Sequence, residues 1–530
     1  LFDTLDRLEP RVARALDSWR VRILGVLLLV YLAITGVLAH YRLFWNDELF
    51  TVYIARIPSV SGIWAFLATG VEQTPPTFHL LTRLVMHTLG EHHLTVRLPS
   101  ILAMGMMGIC LFVVVSRHTS TAYGLIAMLF PFFTQAFLYA YEARPYALVL
   151  AFSAGSLLCW QSATEGHRRT LSLVGLAANL AAGLCSHYYA VLAFLPLVAG
   201  EVARSFARRR VDRAVWLAFC AATIPLFAFL PLLMAGHKLA GTFWAPPRWQ
   251  YMVGFYQNVL SPAAVPFLLT VFVLTFYALA RATARRGRMP PVAPPPPRHE
   301  VLAAFGYLAI PAVATLLAKL ITGAFTDRYA LPAVLGLAMI VSWGAFHLLD
   351  GRATMGALLA ILLVGWFVVF VGIAPALQLR QDVSEQRAVY HFLQTAAPGN
   401  MPIVIAGPHA FFQMTYYAPP TLAPRLVYLV DPTAALHYLG TDTVDLGIRE
   451  FGRRTTLQVE PYRAYLSTHP RFLLYADRGP WTWLLPALGA TSARLEVVAL
   501  DGGASLFLVD TGLDPSPDVR SDRPRRLRAD

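Results

Sequence analysis

Apolar runs of membrane-crossing length alternate with short polar, arginine-bearing stretches from residue 21 to about residue 374. Each run is near the twenty residues that cross about 30 Å of hydrocarbon as a helix. The pattern predicts about eleven spans: 21–39, 97–115, 122–141, 146–163, 171–186, 188–204, 214–235, 263–281, 301–321, 329–349 and 353–374. Ser186-His187-Tyr188-Tyr189 joins two of the shorter runs, which one long bent helix would also fit. Two spans place both Arg168-Arg169 and Arg208-Arg209-Arg210 on the same side. The run at 77–89 is too short and too interrupted by His79, Arg83 and His87 to cross, and predicts a helix lying in the interface.

Beyond residue 375 the period changes. Segments 402–406, 425–430, 471–475, 495–500 and 505–509 predict strands, and 385–395 and 462–468 predict helices between them. The expected organisation is a transmembrane domain over 1–375 with a first outer loop at 40–96, an extracytoplasmic α/β domain over 376–514, and a disordered tail over 515–530. No GxGxxG follows the strands, which argues against a nucleotide site. Pro290-Pro291 and Pro294 to Pro297 predict a stiff extended linker.

Composition agrees with the pattern. The 530 residues are 57% hydrophobic and 14% charged, with a mean hydropathy of +0.54, which excludes an ordinary soluble protein. The excess of 43 Lys and Arg over 30 Asp and Glu sits in short loops, so it reports orientation in the membrane and not nucleic-acid binding. Arg7, Arg11, Arg14, Arg20 and Arg22 put the N-terminal segment in the cytoplasm, and the first run reads as a retained signal anchor. Cys110, Cys159, Cys185 and Cys220 lie inside apolar runs with no metal-ligand spacing and read as packing residues.

With that orientation, the charged residues outside the cytoplasmic loops gather at one end of the bundle. Asp47 and Glu48 follow the first span, and Glu72, His79 and Arg97 lie in or just after the outer loop. Glu142 and Arg144 end the third span, His187 marks a junction, and Lys238, Arg248, Lys319, Asp327 and Arg328 occupy later outer segments. Ionisable groups near hydrocarbon are costly, so their convergence predicts a functional site. Asp47 also suits a plain helix cap ahead of Leu49, Phe50, Tyr53 and Ile54. Arg42, Arg56 and Arg83 read as interfacial or locally paired residues.

These residues resemble the GT-C-fold membrane glycosyltransferases, specifically the protein-mannosyltransferase and aminoarabinose-transferase superfamily with its RgtA/B/C/D-like branch. The resemblance rests on Asp47-Glu48, Glu72-Gln73-Thr74-Pro75-Pro76, Arg97-Leu98-Pro99-Ser100, Glu142-Ala143-Arg144-Pro145-Tyr146, Ser186-His187-Tyr188-Tyr189 and Asp327-Arg328-Tyr329-Ala330-Leu331-Pro332. Thr74 stands where related proteins carry a lysine or histidine. The resemblance implies an inverting transferase that moves a sugar from a polyprenyl-phosphate lipid donor to a glycan, lipid or protein acceptor at the outer face of a bacterial inner membrane.

That chemistry needs a base for the acceptor hydroxyl and positive charge for the departing phosphate. Asp47 is the expected base, with Glu48 beside it. Arg328, with Lys319, Lys238 and Arg144, is expected at the donor phosphate. Glu142, His187, Tyr188, Glu72, Arg97 and Tyr329 are expected at the substrate, with a structural role for Glu142, Arg144 and Arg97 equally open. No cofactor is required on this reading, although Asp47, Glu48, Glu72 and His79 could converge on a divalent metal. A flippase or transporter of lipid-linked sugars is the alternative, and it predicts midplane charges and repeated halves that the sequence lacks. A glycan-binding scaffold leaves the acidic pair unexplained.

Overall fold

The computed structural model describes residues 2–284, 295–397, 399–477, 479, 482–501 and 504–512. The expected tail over 515–530 and most of the expected proline-rich linker, including Pro290, Pro291 and Pro294, lie outside the described residues. The chain divides into two compact units, Leu1–Glu385 and Gln386–Asp530.

The first unit is helical. Among the described residues, seven helices are long and apolar enough to cross a membrane, or nine if each of two bent pairs is one span. The run at 263–281 forms helix Ala264–Ala284, which is not among those counted, and the other departures from eleven have local causes. The run at 122–141 breaks into Thr121–Phe133 and Gln135–Tyr141, which meet at 81°. Pro131 sits at the turn, and Thr134 adopts an extended backbone while its hydroxyl accepts from the Ala136 N–H at 3.3 Å. The run at 301–321 bends by 47° after Leu308, where Pro311 cannot donate to the helical ladder. The run at 329–349 yields only Ala333–Leu348, 16 residues, or about 24 Å of helix. At His187 the extended backbone separates Arg169–Ser186 from Tyr188–Arg208, so the short pair is two spans.

Helix contacts in this unit depend on close fit. The Tyr31 ring stacks on Phe132 at 5.1 Å while its hydroxyl donates to the Ile101 carbonyl at 2.7 Å. A β-carbon at Gly336 would stand 2.4 Å from the Ala304 carbonyl oxygen, so only glycine lets helices Arg298–Leu308 and Ala333–Leu348 approach this closely.

The second unit holds a six-stranded sheet in the order β3-β2-β1-β4-β6-β5. Its strands are β1 Ile403–Ile405, β2 Leu426–Val430, β3 Val459–Pro461, β4 Arg471–Asp477, β5 Arg494–Asp501 and β6 Ala504–Asp510. The first four run parallel, and β6 pairs antiparallel with both β4 and β5. Five strands match the hydropathy pattern. β3 has three residues with no buried member, so it leaves no alternation to read. Under the sheet, buried Asp445 accepts from Tyr428 Oη at 3.1 Å, Trp483 Nε1 at 3.2 Å and the Asp431 N–H at 2.9 Å. Burial without a cation pushes its pKa up to about 6 despite those three donors.

Candidate active site

Four carboxylates and four guanidinium groups meet one to one at the site: Glu48 with Arg97, Glu142 with Arg42, Glu72 with Arg144, and Asp47 with Arg328. The arginines come from positions 42, 97, 144 and 328, so the cluster exists only once distant segments have packed.

Glu48 and Arg97 form the sealed end, both side chains being fully buried. Helix Asn46–Arg56 starts after Trp45, whose N–H donates to Glu48 Oε2 at 3.0 Å. The helix-start contact therefore belongs to Glu48, where the sequence suggested Asp47. Arg97 Nε and Nη2 reach the two Glu48 oxygens at 2.7 and 2.8 Å. Its remaining N–H groups go to the carbonyls of Ala39, Arg42 and Leu43 at 2.6, 2.7 and 3.2 Å. A guanidinium has five donors, and these five bonds use them all. Arg97, expected at the substrate, is thus a positioning residue. Glu48 also accepts from the Ala143 N–H at 2.7 Å. Burial opposes its charge, and Arg97 outweighs that, holding its pKa below the ordinary value.

Arg42 Nη2 lies 3.2 Å from Glu142 Oε2, and its guanidinium stands 5.3 Å from the centre of the Tyr141 ring. Burial, with Glu48 and Asp47 nearby, raises the Glu142 pKa against the pull of Arg42. Read from sequence as interfacial or locally paired, Arg42 is paired, with Glu142 inside the cluster. Arg56 does form a peripheral pair, with Glu91 at 2.6 Å, and Arg83 donates to the carbonyls of Ala55, Ile57 and Pro58 at the end of helix Asn46–Arg56.

Arg144 is held more loosely. Its Nη1 lies 3.3 Å from the Asp47 carbonyl and 3.4 Å from Thr51 Oγ1, its Nη2 lies 3.3 Å from Glu72 Oε1, and its buried Nε has no partner. Long bonds and a spare donor leave this guanidinium capacity for an anion. Glu72 Oε1 also accepts from Thr74 Oγ1 at 2.8 Å, and that hydroxyl lies 3.1 Å from His79 Nε2. The Thr74 hydroxyl therefore bridges Glu72 and His79. Burial lowers the His79 pKa to about 4 and keeps the ring uncharged near neutrality.

Arg328 Nη1 contacts Asp47 Oδ2, with 15% and 20% of the two side chains exposed. Arg328 follows Asp327 in the short 3-10 turn Asp327–Ala330, and its Nε donates to Thr326 Oγ1 at 3.2 Å. Its guanidinium stands 5.5 Å from the Tyr146 ring centre and 5.7 Å from that of Trp244. Burial works against the Arg328 charge, and Asp47 outweighs it.

The remaining expected residues divide. His187 Nδ1 accepts from the Tyr189 N–H at 3.1 Å, and its ring lies 5.0 Å from Tyr329 and 5.4 Å from Tyr146. Burial, and then Arg144 and Arg328, push its pKa down to about 3. Tyr329 stacks on Tyr189 at 4.5 Å. The buried Tyr188 hydroxyl has no partner, and its ring packs on Phe229 at 6.4 Å. Lys319 is exposed and lies over Trp249 at 4.7 Å, and Lys238 is exposed just after helix Ile224–His237. The sequence reading missed Thr51 and the rings of Tyr146 and Trp244. Tyr146 closes the Glu142-to-Tyr146 segment, so aromatic-next-to-arginine spacing was the available signal for it.

Among the described residues, the one group of three or more possible metal ligands is His118, Glu165 and Glu300. His118 lies just past the C-terminal end of helix His93–Ser116, whereas Arg97 lies in its first turn. Asp47, Glu48, Glu72 and His79, which could have converged on a metal, are instead drawn into separate contacts with Arg328, Arg97, Arg144 and Thr74.

Residues 73–234 match the family described as dolichyl-phosphate-mannose-protein mannosyltransferase. None of the curated proteins matches the chain. Among solved structures, ArnT from Cupriavidus metallidurans bound to undecaprenyl phosphate is 14% identical, with a TM-score of 0.55 over 91% of this chain and 97% of that one. The apo form of the same protein is 13% identical with a TM-score of 0.44, over 93% and 98% of the two chains. The Archaeoglobus fulgidus oligosaccharyltransferase is 11% identical with a TM-score of 0.35, over 75% and 62%. The fold is the GT-C fold of multi-pass membrane glycosyltransferases, and residues 73–234 are similar to the dolichyl-phosphate-mannose-protein mannosyltransferase family.

Proposed function

We propose that this protein transfers a sugar, with inversion, from a polyprenyl-phosphate donor to a glycan, lipid or protein acceptor at the outer face of a bacterial inner membrane. The family match and the ArnT-like fold support a lipid-linked-sugar glycosyltransferase. The observation that carries the mechanism is the partly exposed Asp47–Arg328 pair beside the fully buried Glu48–Arg97 pair.

In this mechanism the donor phosphate competes with Asp47 for Arg328. A guanidinium can hold two phosphate oxygens, and Arg144 has a spare donor for a third. Engaging the phosphate draws Arg328 from Asp47, whose carboxylate then accepts the proton of the acceptor hydroxyl. The acceptor oxygen bonds to the anomeric carbon as the bond from that carbon to the phosphate oxygen breaks. Polyprenyl phosphate leaves with the electron pair, and Arg328 and Arg144 stabilise it. His187, Tyr188, Tyr329 and Glu142 face the sugar or shape its pocket. Lys238 and Lys319, both exposed, serve the approach of the anionic lipid headgroup.

With two guanidinium groups at the phosphate, the transfer needs no metal. Activity abolished by a chelator and restored by a divalent ion would overturn that part. The function is tested by mass spectrometry of polyprenyl-phosphate lipids and envelope glycans from a deletion strain, where the glycosylated lipid should accumulate and one glycan modification should disappear. Orientation is tested by an impermeant thiol reagent, which should reach cysteines introduced at 144 and 209 from opposite sides.

A further inference from the structure

We infer that the Gln386–Asp530 unit carries a binding groove for a neutral saccharide at the carboxyl ends of β2 and β3. These two strands are parallel neighbours, so their carboxyl ends open on the same edge of the sheet. β2 ends at Val430 and runs into Asp431 and helix Pro432–Leu439, and β3 ends at Pro461 and runs into Tyr462 and Arg463. Asp431, Thr433, Tyr438, Tyr462 and Arg463 line the groove between them.

Its floor is built. Asp445 fixes the Asp431 backbone and the Trp483 indole at 2.9 and 3.2 Å. Trp483 in turn holds the Tyr462 ring edge-on at 5.2 Å. Tyr462 is only 8% exposed, yet its hydroxyl has no partner within the protein. A buried tyrosine hydroxyl ordinarily finds one, so this atom asks for a polar group from outside.

The walls select the ligand class. Asp431 Oδ1 already accepts from the N–H groups of Thr433 and Ala434, each at 3.1 Å, so a carboxylate occupies the helix start that would otherwise attract phosphate. An anion is disfavoured there. Tyr438, 37% exposed, offers an aromatic surface, while Arg463, with 86% of its side chain exposed, lies 3.8 Å from Asp431 Oδ2 and offers free donors beside an acceptor. An apolar face next to alternating acceptors and donors complements a pyranose, whose C–H face stacks while its hydroxyls hydrogen-bond. The groove stands apart from the transfer reading. It touches that reading only in naming a glycan as the ligand.

The test uses the full chain in nanodiscs and saturation-transfer NMR with the methyl glycosides of glucose, mannose, galactose and arabinose, and with inorganic phosphate as competitor. At least one glycoside should receive saturation on its ring protons. Tyr438→Ala should weaken that binding about tenfold, the scale of a lost stacked ring. Tyr462→Phe keeps the ring and the packing, and should weaken it severalfold with an unchanged unfolding temperature. Asp47→Asn should leave the signal intact while transfer fails, which separates this groove from the membrane site. A glycoside signal insensitive to both tyrosine variants, no signal from any glycoside, or displacement by phosphate would overturn the inference whether or not the membrane unit transfers sugar.

Discussion

Asp47 and Glu48 are adjacent in the chain and chemically alike, and each faces an arginine, yet they sit in opposite circumstances. Glu48 and Arg97 are sealed, with every guanidinium donor committed inside the protein. Asp47 and Arg328 keep 20% and 15% of their side chains exposed. A sealed pair is expensive to break, because the survivor is left as a buried charge. A partly exposed pair can exchange one partner for a ligand. The first arrangement suits scaffolding and the second suits chemistry, so the same residue types do different work one position apart.

The most severe way to probe this contrast is Glu48→Gln, which keeps shape and removes charge. It should destabilise the membrane unit by about 3–5 kcal/mol, the cost of stranding a buried ion, read as a large drop in unfolding temperature in detergent. If Glu48→Gln were stable and inactive, the sealed pair would be catalytic and the contrast would fail.

Asp47→Asn should behave in the reverse manner. Single-turnover transfer should fall at least roughly 100-fold, the scale of general-base catalysis, or about 2.7 kcal/mol in the barrier. Stability should change by under about 1 kcal/mol, as for a solvent-accessible pair. Lipid-phosphate affinity should survive in Asp47→Asn and weaken in Arg328→Ala, because the arginine meets phosphate in both ground and transition states. Near-normal turnover in Asp47→Asn would reduce Asp47 to a structural residue.

Asp445 sharpens the comparison because it is sealed without any arginine. Its pKa moves up from 3.8 to about 6, whereas that of Glu48 moves down. Between those two pH values the folded unit holds a proton that the unfolded chain has released. Asp445 therefore costs least stability below about pH 4, and its cost grows between pH 4 and 6, by on the order of 3 kcal/mol, and levels off above. Unfolding followed from pH 4 to 7 should show that slope in the native chain and lose it in Asp445→Asn. The smallest effect is expected at the exposed Arg56–Glu91 pair, where Arg56→Gln should cost about 0.2–1 kcal/mol and leave transfer unchanged.

Much of this was legible in the sequence, and the illegible part shares one cause. Position relative to the apolar runs located Asp47, Glu72, Arg144 and Arg328, since charge beside hydrocarbon is conspicuous. Function within the cluster was not legible, because it depends on which partner arrives from 49 or 281 residues away. Arg97 read equally as a substrate contact or a structural partner, and it spends all five donors inside the protein. Lys319 read as a phosphate helper and lies on Trp249. Hydropathy likewise marked the run at 122–141 but not its 81° break, because mean apolarity is blind to a kink set by Pro131 and Thr134. In the second unit, the apolar pattern found five strands, three-residue β1 among them, and failed at β3, which has no buried member.

The bond from the Ala143 N–H to Glu48 also has a consequence for biogenesis. A membrane protein is delivered to the bilayer in chain order, so Glu48 emerges first, Arg97 follows after the outer loop, and residue 143 follows after a further two apolar runs. Until then the acidic pair has no finished cradle. The last component, Arg328, comes from some 180 residues further on, so most of the membrane unit has been made before Asp47 meets it. The cluster is completed late, and a misplaced intervening span would leave it without this pair.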